Sequence, residues 1–213
     1  TPYDIEALHP DVRASVLLAR SNAERGETAA DAAREAAASA ELAAERARNG
    51  EPGYRAYFYE SDPQQRRYEG EWVNERASGL GVLSFAGEPY AGDRYAGNFL
   101  YGRKYGLGVY TYSVLPTDES RSRYEGDYVS GEAERYGVYY GRYGNRHAGR
   151  SGRDGFNGEG VYDHPNGERY EGNFVNNRRH GLGVLWRADG RVRQSGYWVE
   201  GRFTTRLRPE RTR

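Results

Sequence analysis

The chain of 213 residues carries 31 basic and 31 acidic side chains, a formal net charge of zero, so no global field draws it to nucleic acid or to an acidic membrane. It has neither cysteine nor methionine, which excludes disulfides, thiolate chemistry and cysteine metal sites. With 37% hydrophobic residues, 29 glycines and 20 tyrosines it lacks the material of a thick two-layer core, and its length suits one domain plus an extension.

Residues 1–52 read as an alanine-rich helical extension. The first residue is Thr1 rather than methionine, which fits either removal of a leader or trimming. Pro10 suits a first helical position and Asp11 a first turn. Val12, Val16, Leu17 and Ala19 to Ala23 then follow at helical spacing up to Arg25, with Gly26 as the expected stop. A second helix is expected from Thr28, an N-cap with Asp31 three residues later, through Arg48 to Asn49-Gly50. Leu42 is its one bulky apolar residue, so it reads either as a solvated spacer or as a docking helix whose alanine face approaches a partner closely.

From Gly53 the chain changes character. Tyr170, Gly172 and Phe174 stand two apart, so in an extended chain they share one face. Asn176-Asn177, which tolerate positive φ, break the alternation, and Gly181-Leu-Gly183-Val184 opens a second extended run, so the stretch is a β-hairpin. Tyr68-Glu-Gly70-Glu-Trp72 leads likewise to Gly79-Leu-Gly81-Val82, Tyr95-Ala-Gly97-Asn-Phe99 to Gly106-Leu-Gly108-Val109, and Tyr124-Glu-Gly126-Asp-Tyr128 to Gly137-Val138. His147-Ala-Gly149-Arg-Ser151 has lost both aromatics but still reaches Gly158-Glu-Gly160-Val161. Gly53 to Tyr59 reads as the second strand of a missing copy, and Gln194-Ser-Gly196-Tyr-Trp198 as the first strand of a last one. The copies start 27, 29, 23 and 23 residues apart, and the excess of the long intervals falls at Ala86 to Arg94 and Ser113 to Arg123. Regular recurrence of one hairpin marks a repeat architecture.

These residues resemble the MORN repeat, a Tyr-x-Gly-x-aromatic strand, a turn and a Gly-x-Gly strand, over roughly residues 53–203. The resemblance implies a mainly β fold, a single-layer antiparallel sheet of tandem hairpins with the helical extension before it. The array is expected over 53–203 as about ten to twelve strands in sequence order, followed by an arginine-rich tail at 204–213. The motif glycines are expected to leave room for rings from neighbouring strands.

Catalytic signatures are missing from the sequence. His9, His147, His164 and His180 show no metal-ligand spacing, no Gly-x-Ser-x-Gly occurs, and the glycine-rich stretch 149–160 carries no lysine. Glu69, Glu125 and Glu171 recur on the face opposite the motif tyrosines and read as a solvated stripe pairing with arginines. The resemblance therefore implies a non-catalytic scaffold or accessory subunit, as in radial-spoke heads and parasite cytoskeletal assemblies. MORN arrays also occur beside methyltransferase and lipid-kinase modules, for which residues 1–50 are too few. No cofactor, metal or nucleic acid is expected.

The expected partner is another protein subunit, inserting a helix or extended segment into a groove lined by Tyr68, Trp72, Tyr95, Phe99, Tyr124, Tyr128, Tyr170, Phe174 and Trp198. The helix could also be residues 28–48 folding back, with Ser113 to Arg123 bordering the groove. The alternative is anionic lipid headgroup binding, as proposed for junctophilins, for which Arg202, Arg206, Arg208, Arg211 and Arg213 are the candidate contacts; a solvated tail is the other reading of them. No stretch approaches the ~18 apolar residues of a membrane span, and an intracellular cytoskeletal, axonemal or organellar assembly is the expected setting.

Overall fold

A computed structural model describes residues 2–113, 122–153 and 155–209. It contains one helix, α1 (Pro10–Arg48), and thirteen strands: β1 (Tyr54–Phe58), β2 (Arg66–Val73), β3 (Arg76–Phe85), β4 (Arg94–Leu100), β5 (Arg103–Thr111), β6 (Arg123–Val129), β7 (Glu132–Tyr140), β8 (Arg146–Gly152), β9 (Gly155–Asp163), β10 (Arg169–Val175), β11 (Arg178–Trp186), β12 (Val192–Val199) and β13 (Arg202–Arg206). The strands form a single open antiparallel sheet in strict sequence order, one more strand than the upper expectation.

The turns follow from residue type. Asn176 and Asn177 both adopt positive φ (48° and 65°), the two-residue turn whose twist matches that of the flanking strands. Just after the motif glycine the register shifts by two residues, the extra ones lying on the returning strand, at Gly70/Trp72, Gly97/Phe99, Gly149/Ser151 and Gly172/Phe174. Such a bulge turns the following side chain and strengthens the local twist.

The expected break at Gly26 does not occur. α1 runs unbroken from Pro10 to Arg48 and stops where the sequence indicates, with Gly50 at φ 72°. Glycine in mid-helix costs roughly 1 kcal/mol against alanine, and tertiary packing outweighs that cost. A Cβ on residue 26 would stand 2.7 Å from the Gly137 carbonyl oxygen and 2.9 Å from the Gly149 nitrogen, so only glycine lets the helix sit this close to the strands.

Two compact units divide the chain, one comprising the helix up to Glu27, Tyr136–Val138 and the strands from Tyr143 onward, the other Thr28–Arg135 with Tyr139–Arg142. In the first unit Val12 and Val16 of α1 pack with Leu8 against Val184 and Trp186. Full burial of each valine contributes roughly 1.5–3 kcal/mol. In the second, Ala40 and Ala44 pack against Val82 and Ala96, with Ala37 and Leu80 beside them. The buried positions of α1 are Val12, Val16, Ala19, Ala23, Gly26, Ala30, Ala33, Ala40, Ala44 and Ala47, with Asn22 and Ala43 beside them; half-buried Ala37 completes a stripe of alternating four- and three-residue steps. Seven helical residues rise about 10.5 Å and two strand spacings cover about 9.6 Å. One heptad of α1 therefore matches one hairpin.

Candidate functional site

Each hairpin strand presents two faces, and the residue after the motif tyrosine position lies on the helix side. There stand Glu69, Ala96, Glu125, Ala148 and Glu171. In the second unit Arg48 donates to Glu69 at 2.8 Å, Glu41 pairs with Arg94, and Arg34 pairs with Glu125. In the first, Glu27 pairs with Arg146, and Arg20 grips Glu171 with Nε and a terminal nitrogen at 3.0–3.2 Å. Helix positions 20, 27, 34, 41 and 48 thus read Arg, Glu, Arg, Glu, Arg, one per heptad. Where the helix supplies arginine, the strand supplies glutamate, held also by its own Arg67, Arg123 or Arg169. Where the helix supplies glutamate, the strand has alanine instead, and the arginine before the motif position turns to the helix.

Glu125 and Glu171 are only 1% exposed, and Trp186 Nε1 also donates to Glu171 at 3.0 Å. The arginine pairing expected of these glutamates is present, but the solvated stripe is not, because α1 covers it. Residues 28–48 also do not fold onto the aromatic side. The small alanine face of α1 fits the floor of valine, alanine and glutamate, which supplies both apolar contact and acceptors for its arginines.

On the opposite face, eight of the nine motif aromatics are buried, Tyr68, Tyr95, Phe99, Tyr124, Tyr128, Tyr170, Phe174 and Trp198, and Trp72 is half-buried. They cover one another edge to face: Tyr68 on Phe99 at 4.9 Å, Tyr95 on Tyr128 at 4.9 Å, Tyr170 on Trp198 at 5.3 Å. Tyr68, Tyr95 and Tyr170 also fold over glycine. A Cβ on Gly81, Gly108 or Gly183 would lie 2.3–2.4 Å from the hydroxyl of Tyr68, Tyr95 or Tyr170. The ring that occupies the space over Gly81, Gly108 or Gly183 comes from the adjacent strand of the same hairpin. The hydroxyl then donates to the carbonyl three residues on, at Glu71, Asn98, Asp127 and Asn173 for Tyr68, Tyr95, Tyr124 and Tyr170 (2.7–3.3 Å). Burial raises Tyr68, Tyr95 and Tyr170 well above the ordinary phenol range.

The degenerate copy is repaired rather than empty. His147 takes the tyrosine position over Gly160, and Phe156 from β9 stacks on it at 3.4 Å, filling the space that Ser151 leaves. Burial holds His147 well below its ordinary value, so it is a neutral core ring. Sequence reasoning missed Phe156 because it stands outside the motif frame. Cations lie over the ladder: Lys104 Nζ is 4.5–5.7 Å from the centroids of Tyr95, Tyr110 and Tyr128, and Arg179 is 4.4 Å from Trp198.

Arg202, Arg206 and Arg208 are exposed; Arg211 and Arg213 lie outside the described residues, as does most of the Ser113 to Arg123 insertion. Arg206 and Arg208 line a cleft of about 420 Å³ with Arg193, Leu8 and Leu207. Among the described residues no cluster of three or more His, Asp or Glu could hold a metal, and no helix is long and apolar enough to cross a membrane.

The family profile described as MORN repeat matches residues 68–87, 95–114, 124–146, 153–169 and 170–190. This chain is a MORN-repeat protein. Three of the matched copies begin at the tyrosines Tyr68, Tyr95 and Tyr124 and a fourth at Tyr170, while the match at 153–169 begins beyond His147 and Ser151, the positions that depart from the motif. Alsin of Pan troglodytes and alsin of Homo sapiens are each 30% identical over 151 residues, 67% of this chain. The chain spans only 7% of the length of either relative. MORN repeats form a protein- or lipid-binding module, and this array is one.

Proposed function

We propose that this MORN array is a non-catalytic interaction module, a structural or accessory subunit that holds protein partners in a larger intracellular assembly without cofactor or nucleic acid. The observation that carries the reading is the one-sided cover of the sheet. Within each unit α1 lies on the glutamate face, while the face of Tyr68, Tyr95, Tyr124 and Tyr170 has no second layer of secondary structure among the described residues. On that face the mutually buried rings form a firm floor, and the partly exposed Lys104 and Arg179 above it offer a partner helix or extended segment cationic contacts, with arginine among the residue types that anchor interfaces.

The test is affinity capture from the native source, comparing the parent with Lys104→Ala/Arg179→Ala, and circular dichroism to verify the fold. Phe99 is unsuitable for substitution because it is wedged between Tyr68 and Tyr95. Loss of partners with the sheet intact supports the aromatic face, whereas unchanged capture moves the interface elsewhere. The Arg206–Arg208 cleft favours a second reading, binding of an anionic lipid headgroup. Salt-sensitive pelleting with phosphatidylserine vesicles, abolished by Arg206→Ala/Arg208→Ala, would select that reading.

A further inference from the structure

β1 is the first strand of the sheet and pairs on one side only, with β2. Trp72 N–H donates to Gly53 O at 2.9 Å and Tyr59 N–H to Arg66 O at 3.0 Å. Antiparallel bonding alternates, so Arg55 and Tyr57 face β2, and the N–H and C=O groups of Ala56 and Phe58 turn outward. Both residues are exposed, Phe58 by 51%. An open edge of this kind is a template for a further strand.

The side chains state what that strand must carry. On the aromatic face Arg55, Tyr57, Tyr59, Arg66, Trp72 and Arg76 line a cleft of about 530 Å³, with Glu75 as its one acidic member. Arg55 lies over the Tyr57 and Trp72 rings at 5.2 and 5.1 Å, and Arg66 is tied to Asp62. Among the described residues Arg55 and Arg76 make no ion pair, in a chain where most helix-side arginines do. The buried Trp72 Nε1 has no acceptor, although Trp198 Nε1 at the corresponding motif position donates to Gly183 O at 3.3 Å. On the other face, exposed Phe58 offers an apolar contact.

We propose that β1 docks an extended acidic peptide as an added strand, its alternate carboxylates reaching Arg55 and Arg76 and its intervening apolar side chains lying over Ala56 and Phe58. A second copy of this chain fits less well, because its β1 (Tyr-Arg-Ala-Tyr-Phe) carries no carboxylate that could reach Arg55 or Arg76. The proposal rests on the interaction-module reading but uses residues apart from Lys104 and Arg179, so the two can fail separately.

The probe is a fluorescent, end-blocked peptide of alternating glutamate and valine, with its lysine–valine counterpart as control, titrated against the full chain by anisotropy. The glutamate peptide should bind and the lysine peptide should not. Arg55→Glu/Arg76→Glu should weaken binding at least about tenfold. Ala56→Pro removes one outward N–H and spares the β2 ladder, since proline is tolerated on an edge; it should abolish binding at an unchanged melting temperature. Amide exchange at Ala56 and Phe58 should slow in the complex. Equal binding of both peptides, or full binding by Ala56→Pro, overturns the proposal. So does a sedimentation dimer that Ala56→Pro dissolves, which makes the occupant a second copy. If neither peptide binds while capture through Lys104 and Arg179 persists, the edge proposal falls and the module reading stands.

Discussion

The Cα of Gly26 approaches the backbone of Gly137 so closely that a Cβ on residue 26 would stand 2.7 Å from the Gly137 carbonyl oxygen. Gly149 N, at 2.9 Å from the same point, blocks the other way out. Both obstacles are backbone, so neither can rotate aside. On propensity alone Gly26→Ala would gain roughly 1 kcal/mol. Here it is expected to lose about 1–3 kcal/mol, the usual cost of an overpacked site. Urea unfolding of the variant checks this, and a stabilised Gly26→Ala would show that the helix can lift off the strands freely.

The arginine–glutamate pairs differ in depth, which makes their energies separable. Glu171 is 1% exposed and held by Arg20, Arg169 and Trp186, whereas the Glu69 side chain is 12% exposed and Arg48 is 47% exposed. Removing one partner of a buried pair costs about 3–5 kcal/mol, because it strands the other charge. A double-mutant cycle of Arg20→Met and Glu171→Gln should therefore give a larger coupling energy than one of Arg48→Met and Glu69→Gln, with the latter near the sub-kcal/mol range of surface pairs, about 0.2–1 kcal/mol. Equal couplings would mean that the covering helix does not exclude water from Glu171.

The hairpins were legible because two-residue alternation fixes which side chains share a face, and that assigned Tyr170 and Glu171 to opposite sides as found. The fate of each face was less legible. Alternation says nothing about lateral neighbours, so a row such as Tyr68, Phe99, Tyr95 and Tyr128 could be read as an open groove when the rings in fact cover one another. The pairing Gly172↔Gly183 that lets Tyr170 lie flat joins two strands, and neither glycine reveals it alone. The N-terminal signal was present and was divided: Val12, Val16, Ala19, Ala23, Gly26, Ala30 and Ala33 keep heptad spacing through the glycine, and the charges at 20, 27, 34, 41 and 48 keep the same period. Alanine contributes little apolar contrast, so this pattern registers as helix propensity rather than as a packing face.

Lys104, the one lysine in the chain, is expected to shape stability on the alkaline side. Burial pulls its ammonium from 10.5 down to about 8, against the pull of Glu132 and Asp93. Between those values the unfolded chain keeps a proton that the folded chain has released, so stability rises with pH through this window. Buried Tyr68, Tyr95, Tyr110 and Tyr170 act oppositely, since burial raises them above 10 and the unfolded chain loses their protons first. Each tenfold difference in proton affinity between the folded and unfolded chain is worth about 1.4 kcal/mol, so stability should climb by on the order of 1–3 kcal/mol from about pH 8 towards about pH 10 and fall beyond it. Lys104→Met should remove the climb and leave the fall. Denaturant midpoints across this range check it, and a parallel profile for the two proteins would exclude Lys104 as its source.

Gly172 is one of the tightly enclosed glycines of the array. Valine usually favours strands, and a glycine inside one costs roughly 0.5–1 kcal/mol, so Gly172→Val would be stabilising if the residue only filled a strand. Its neighbours forbid the side chain: a Cβ there would meet the Gly183 Cα at 2.5 Å, the Leu182 carbonyl oxygen at 2.6 Å and the Tyr170 hydroxyl at 2.8 Å. The hydroxyl could swing away only by giving up its bond to Asn173 O at 3.1 Å and its edge-to-face seat on Phe174 and Trp198. The other two atoms are backbone of the paired strand, so relief requires β10 and β11 to separate. Gly172→Val is therefore expected to cost more than the propensity gain returns, a net loss of roughly 2–4 kcal/mol on the scale of severe core substitutions. Amide exchange should locate that loss first in the β10–β11 ladder. A melting temperature at or above that of the parent would mean that the ring-over-glycine packing does not constrain the hairpin.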